Sequence, residues 1–466
     1  MTATDVIVVG SGSAGAVVAR RLADAGARVL LLEAGGRDDN PAIHDPGRVH
    51  ELWLSDVDWA YETVPQVHAN GRRLAWPRGK VLGGSSCLNA MIWVRGAPAD
   101  FDAWGDGWSW ADVLPAYERL EAELGLLTSF EPDAIHVALA EAAQECGIPF
   151  NENYNGETQD GVSFMQYTIR DGVRHSAAAA FLRQDSPNLE IVTGAHARRL
   201  VFDGTRCVGI DDVRAEQVVV CGGTIGSAEL LLRSGIGPAD HLRSVGVDVV
   251  VDLPGVGENL HDHLLSPVIF SAEREIGPPS PGLPACQTHL FWRSRPGLPA
   301  PDIQPIHFMV PMYEDWMSGP ENGFTLLGGI VRPESRGTLR LTGPGPDDPV
   351  ALDPNVLASE NDFEGLVAAV ELCRRIGASL DDWGVAEQYP GARDVRDYVR
   401  ETAITYHHQV GTCAIGTVVD PRLQVHGVEG LRVADASVMP MVTTGNTNAP
   451  SIMIGERAAE LILADV

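Results

Sequence analysis

The chain has 466 residues, 44% of them apolar, and a formal net charge of −29. That length supports a large core and two domains, while the acidic balance argues against nucleic acid or an anionic membrane surface as a partner. Seven scattered cysteines form no CxxC, and no apolar run approaches the roughly 18 residues of a membrane helix, so neither a zinc knuckle, a disulfide scaffold nor a membrane span is expected.

The first predicted strand begins by about Asp5, which leaves no room for a signal peptide, and a reducing, cytoplasmic setting is expected. Val6 to Val9 is a continuous apolar run, the pattern of a parallel strand buried on both faces. GSGSAG follows at Gly10 to Gly15, then a helix over Ala14 to Ala25 closed by Gly26, then a second buried strand ending at Glu33. Strand, glycine turn, helix, strand and terminal acid make the frame of a dinucleotide site. The glycines allow close backbone approach, and the helix N-terminus offers free N–H groups to a pyrophosphate. Glu33 stands where a carboxylate accepts hydrogen bonds from a ribose and repels a 2′-phosphate. This motif alone leaves NAD and FAD open.

The stretch from Gly35 to Pro77 is loop-rich and aromatic, with Trp53, Trp59, Tyr61 and Trp76. In GKVLGGSSCLNAMIWVRG, Gly79 to Gly96, small residues let a flat ligand lie against backbone; the same composition also fits a glycine-rich turn before a buried helix. Helices are predicted over Trp110 to Leu120 and Ala134 to Cys146. Strands follow between Leu189 and Cys221, with a hairpin at Asp203-Gly204. A buried strand, glycines and a helix from about Ser227 to Arg233 then repeat the opening theme, so the chain is expected to return to its first sheet.

The turn-rich seam Pro254 to His263 precedes a change of composition. Beyond it, candidate strands at Gln304 to Val310 and Thr325 to Val331 and a helix at Asp362 to Ile376 read as a separate domain. From Thr405 the first style resumes, with the strand of LRVADASVMP and a terminal helix in APSIMIGERAAELILADV that packs back on the first domain. The expected division is 1–265 with 405–466, and 266–404.

The tail carries the candidate chemistry. His407 and His408 are adjacent, so in an extended segment only one of them faces a given ligand. Asn446 and Asn448 are two apart and can share a face. A histidine beside an asparagine suits alcohol oxidation: the imidazole takes the hydroxyl proton and the amide holds the oxygen. His261 and His263 could share a face as metal ligands, but no third ligand has useful spacing and no metal is expected. The absence of a G-x-S-x-G elbow disfavours a serine hydrolase.

GKVLGGSSCLNAMIWVRG with Asp102, GTIGSAELLLRSGIG, LPGVGENLHDH and LRVADASVMP resemble, in order, segments of the glucose–methanol–choline (GMC) oxidoreductases, an FAD-dependent family. The second segment departs at Ala228, where proline or serine is usual. The resemblance implies an α/β fold: a Rossmann-like FAD-binding domain with a discontinuous chain, plus a smaller α+β substrate domain built on an antiparallel sheet. It selects FAD over NAD.

It also implies roles by position. The family's catalytic histidine opens an H-P-V-G-T motif and falls on His408, with Gln409 replacing the proline; the partner position falls on Asn446. Asn89 matches the flavin-contacting asparagine, Asp435 and Ala436 the segment near the ribityl and pyrophosphate, and Ala197 a backbone contact to adenine. The remaining cofactor positions are Gly10, Gly12, Ser13, Ala14, Gly15, Glu33, Ala34, then Val81, Gly83, Gly84, Ala90, Met91 and Ile92, and Asn448. Some choline-oxidising members attach FAD through a histidine directly before the signature asparagine; here that position is Leu88, so a non-covalent FAD is expected. Gln287 falls where those members carry an acid, so aromatic or aliphatic primary alcohols are the expected substrates, with polyols behind them. Hydride passes from the alcohol to flavin N5, and the electrons then to a quinone, another redox cofactor or oxygen. A dehydrogenase is favoured, with an alcohol oxidase or an FAD-containing hydroxynitrile lyase as alternatives.

Overall fold

The computed structural model describes residues 4–183 and 186–465. The opening apolar run forms the strand Thr4–Val9, whose Val6 to Val9 are all buried. It pairs in parallel with Val29–Glu33 on one side and Val213–Val220 on the other. Leu189–Thr193 extends the sheet beyond Val29–Glu33, and Leu431–Val433, from the tail, pairs in parallel with the end of Val213–Val220. Burying each such aliphatic side chain contributes roughly 1.5–3 kcal/mol. The hairpin signal at Asp203-Gly204 is real: Leu200–Asp203 and Arg206–Ile210 pair antiparallel across it and extend the sheet from Val213–Val220.

The helix Ser13–Asp24 leaves the glycine turn and packs against the terminal helix Asn448–Leu463. They cross closely at Gly455, where a Cβ would stand 2.5 Å from the Ala14 carbonyl oxygen, and Arg21 Nε reaches Glu456 Oε2 at 2.8 Å. This crossing delivers Asn448 to the start of the first helix.

A second sheet is antiparallel throughout. Its long central pair, Leu264–Ser271 and Gly323–Ile330, is backed by the helix Glu360–Ala378, whose Phe363, Leu366, Val370, Cys373 and Ile376 are buried. Ile306–Phe308 and Cys286–Phe291 continue it on one side, and Ala386–Tyr389 and Ile404–Thr405 pair with Leu264–Ser271 on the other. One strand comes from outside the expected 266–404 segment: Gly161–Phe164 pairs with Cys286–Phe291. The chain therefore visits this sheet once before the seam, a corrected boundary that local composition does not mark, because a four-residue strand is too short to carry a period. Residues 91–94 also differ from the buried-helix alternative: Met91 turns at φ +61°, and the segment that follows carries no helix and is bridged at Ile92 to Tyr167. One apolar cluster contains residues of both sheets, Val8 and Phe270 among them. No helix among the described residues is long and apolar enough to cross a membrane.

Candidate active site

A cavity of about 340 Å³ is lined by all three segments singled out in the sequence. From the opening come Gly10, Gly12, Ser13 and Ala14, with Glu33 and Ala34. Gly84, Asn89, Ala90 and Ile92 follow, and Ala197 adds a turn. The tail contributes His408, Asp435, Ala436, Asn446 and Asn448. Gly15, Val81, Gly83 and Met91 do not reach this wall. Gly15 lies against the Gly10 carbonyl, Val81 sits in a small cluster with Ile43 and Leu52, and Met91 is buried with Tyr167 and Phe291. Gly83 donates its N–H to Ser11 Oγ at 3.1 Å.

The glycine turn fits a pyrophosphate. The helix Ser13–Asp24 begins with no side-chain cap and no acid in its first turn, so the N–H groups of its first turn carry no capping side chain. Gly10 has φ +94°, and a Cβ there would stand 2.4 Å from the Cys221 carbonyl oxygen. A Cβ on Gly84 would approach Gly12 Cα to 2.8 Å, so the two glycine segments meet backbone to backbone. Glu33 is buried and accepts from Ser11 N at 3.0 Å, Ser11 Oγ at 2.6 Å and Gly35 N at 2.7 Å. Burial pushes its carboxyl above the ordinary range, against those donors. Glu33 thus braces the loop as well as facing the cavity. Asp435 performs a similar task at the second turn, accepting from Gly223 N at 2.8 Å, Ser437 N at 2.8 Å and the Ser227 hydroxyl. Asn448 Oδ1 accepts from Ser13 Oγ at 2.6 Å, so it faces the first helix start while Asn446 faces the histidine.

The reactive end is built around His408. Asn446 Nδ2 lies 3.2 Å from His408 Nε2, and His263 Nδ1 lies 3.0 Å from His408 Nδ1. The Tyr406 ring stacks on the imidazole at 4.6 Å between centroids. The backbone is clamped by Asp262, which accepts from His408 N at 2.8 Å, Gln409 Nε2 at 2.8 Å and the Thr405 hydroxyl. Gln409, which stands where the related motif has proline, uses its side chain for this clamp. His407 also lines the cavity, contrary to the expected alternation. Its φ of +67° breaks the extended geometry on which alternation depends, and its ring lies 5.1 Å from that of Trp53.

Burial sets the charge states. His408 is held well below the ordinary imidazole range, first by desolvation and then by His263, His407 and Arg78. His263 and His407 are each pushed down to about 3, again chiefly by desolvation. Asp262 is pushed up to about 6 by burial, opposed by its hydrogen bonds and Arg78. The pair His261 and His263 is no metal site: His261 Nδ1 meets the Asn259 carbonyl at 2.6 Å, and Nε2 accepts from Val442 N at 3.0 Å. No cluster able to hold a metal occurs among the described residues.

Sequence reading missed several members of this site. Gln304 Nε2 donates to Asn446 Oδ1 at 3.1 Å. Arg174, fully buried, donates to Asn89 Oδ1 at 2.9 Å and to the Ile43 carbonyl at 2.6 Å. Nothing local marks either residue; only the adjacency of Asp262 and His263 in the seam was a visible signal.

Two GMC oxidoreductase family models match the chain, over residues 4–265 and 333–455. An alcohol dehydrogenase [acceptor] of Pseudomonas putida is 36% identical, covering 99% of this chain and 96% of that protein. An oxygen-dependent choline dehydrogenase of Brucella suis biovar 1 is also 36% identical, covering 98% and 95%. Among solved structures, pyridoxine 4-oxidase from Mesorbium loti superposes with a TM-score of 0.93 at 34% identity, covering 98% of each chain. The Rossmann-like sheet, the antiparallel second sheet and the glycine-lined cavity accord with these matches. The chain belongs to the GMC oxidoreductase family and is an FAD-dependent oxidoreductase acting on CH–OH donors.

Proposed function

We propose that the protein oxidises apolar primary alcohols, with His408 as general base and Asn446 holding the substrate oxygen, and passes the electrons to an acceptor other than oxygen. The observation that carries this reading is the pair His408 Nε2 and Asn446 Nδ2, 3.2 Å apart in the cavity wall. Bound FAD supplies the hydride-accepting ring. The rest falls to the chain's own residues. Desolvation keeps His408 neutral near pH 7, so one ring nitrogen is bare, and Nε2, which faces the Asn446 amide in the cavity wall, is the one placed to take a hydroxyl proton. An alcohol oxygen placed beside Nε2 also meets the Asn446 amide, whose orientation Gln304 fixes from behind. The Gly10–Ala14 turn, Gly84, Asn89, Asp435 and Ala436 would hold the cofactor along the wall.

The substrate class rests on the same wall. Leu265, Ile306, Phe308, Met312, Leu327 and Ile404 line it and would exclude water around a hydrocarbon chain or ring. Its carboxylates are Glu33, Glu229 and Asp435; the first and last brace glycine turns, and Glu229 pairs with Arg233 at 2.8 Å. Gln287 lies outside the wall, with its amide on Asp133. Among the described residues, no acid in this wall is thus left to neutralise a quaternary ammonium.

For the acceptor, the P. putida and B. suis alignments run over 530 and 525 positions against 466 residues here, so those relatives carry insertions this chain lacks, which favours the reading with an acceptor larger than oxygen. The likeness to pyridoxine 4-oxidase favours a second reading, with oxygen as acceptor. A panel of benzylic and aliphatic alcohols, choline and polyols, each assayed in parallel with oxygen and with an artificial quinone, decides both points. The expected outcome is turnover of the benzylic and aliphatic alcohols that depends on the quinone. Equal rates with oxygen alone establish the oxidase reading, and a preference for choline overturns the apolar one.

A further inference from the structure

Four polar side chains, the base among them, form one line. Gln304 Nε2 lies 3.1 Å from Asn446 Oδ1, Asn446 Nδ2 lies 3.2 Å from His408 Nε2, and His408 Nδ1 lies 3.0 Å from His263 Nδ1. Gln304, His408 and His263 are all buried, so bulk water does not settle their proton positions. Each contact needs one donor and one acceptor. Two ring nitrogens facing each other share a single proton, and whichever histidine donates at Nδ1 has, when neutral, a bare Nε2.

The Gln304 end of the line decides its direction. Gln304 Nε2 also lies 3.1 Å from His289 Nδ1, so both hydrogens of its amide have acceptors if it donates towards Asn446. With Asn446 Oδ1 taken by Gln304, the Asn446 amide turns its Nδ2 to His408, so Nε2 of His408 faces a donor and is the acceptor of that contact. A neutral His408 with a bare Nε2 carries its proton on Nδ1, so His263 Nδ1 is the lone pair that accepts it. His408 must then donate through Nδ1, and its Nε2 lone pair points to Asn446 and the cavity.

We propose that His263 is a positioning residue: by accepting the Nδ1 proton of His408, it fixes the tautomer that leaves Nε2 free as the base. This rests on His408 being the general base. When Nε2 gains the hydroxyl proton, the O–H bond breaks, an N–H bond forms, and His408 keeps its Nδ1 proton bonded to neutral His263. No proton has to pass on to His263. The charged groups around the imidazolium are Arg78, directly after the aromatic loop, and Asp262, on the seam, with His407 beside it.

Two side-chain replacements separate this role from packing. His263→Asn keeps an acceptor near the position of Nδ1, whereas His263→Leu fills the space without one. The FAD-loaded His263→Leu enzyme is expected to reduce its flavin about 10- to 100-fold more slowly, a part of the 10²–10⁴-fold that a general base supplies, with alcohol KM little changed. His263→Asn is expected to recover most of the rate. The second readout is independent of turnover: ¹⁵N-histidine NMR of the wild-type protein, with the His408 signals assigned by their loss in His408→Gln. The proposal requires a protonated Nδ1 and a bare Nε2 on His408. A protonated Nε2 on neutral His408, or a His263→Leu enzyme as fast as wild type, overturns it. Should His263→Leu not hold FAD, the NMR result and His263→Asn still decide. A silent His408→Ala would defeat the base assignment and leave the tautomer result standing.

Discussion

Asn446 makes two hydrogen bonds in opposite directions, accepting from Gln304 and offering Nδ2 to His408. Asn446→Ala removes the amide that orients the substrate oxygen and leaves Gln304 without its acceptor. At about 1–3 kcal/mol for such a group, kcat/KM is expected to fall about 5- to 150-fold, as measured by steady-state kinetics with FAD content unchanged; a loss confined to FAD binding would assign Asn446 to the cofactor instead. Leu88 bears on a second residue-scale question. It lines the cavity directly before Asn89 and has no nucleophile. Acid precipitation is therefore expected to release all flavin into the supernatant, and flavin retained on the protein contradicts a dissociable cofactor. At this scale the sequence revealed His408 and Asn446 because their neighbours resemble known segments. It did not reveal that His263 meets His408, because a pair 145 positions apart leaves no local pattern. The turn at His407 was equally hidden, since no spacing rule announces a positive φ at histidine.

Among the elements, the contact between the two glycine turns carries the cofactor argument. Gly84 has φ +53°, and its missing Cβ leaves room for Gly12. Gly84→Ala adds about 1–2 kcal/mol of backbone strain and pushes the turns apart, so FAD affinity is expected to weaken at least about tenfold, as read by flavin-fluorescence titration. Gly277→Ala, where nothing lies within 4 Å of the added Cβ, is the matched control; equal affinities for the two variants contradict the cradle. Elements with sustained patterns were legible before the structure: the strand–turn–helix opening, the Asp203-Gly204 hairpin and the long helix that emerges as Glu360–Ala378. Short ones were not. Gly161–Phe164 joins the second sheet by pairing with a strand more than a hundred residues away, and residues 92–94 carry no helix, with Ile92 held by its bridge to Tyr167 rather than by any local propensity.

Across the whole molecule, a core running through both sheets buries an unusual set of imidazoles. His136 is pushed down to about 4, and His261, His263, His289, His307 and His407 to about 3, all chiefly by desolvation. In the unfolded chain they titrate near 6.5. Their stabilisation is therefore complete above that pH and lost as pH falls, by about 1.4 kcal/mol per histidine per pH unit. Asp262, raised to about 6, acts in the opposite sense: its contribution is present below its unfolded value and lost as pH rises through 6. Glu33, Asp100, Asp362 and Asp435 shift the same way as Asp262. The histidines dominate the first unit below 6.5, so the melting temperature is expected to drop by about 5–10 °C between pH 7.5 and pH 5.5; a flat or rising value on acidification contradicts neutral burial. The central claim, that this cavity oxidises alcohols through His408, is tested most directly by anaerobic stopped-flow bleaching of the bound flavin with an apolar primary alcohol. Wild type is expected to bleach, and His408→Ala, with its FAD in place, to bleach about 10²–10⁴-fold more slowly. Equal rates for the two proteins would contradict the account.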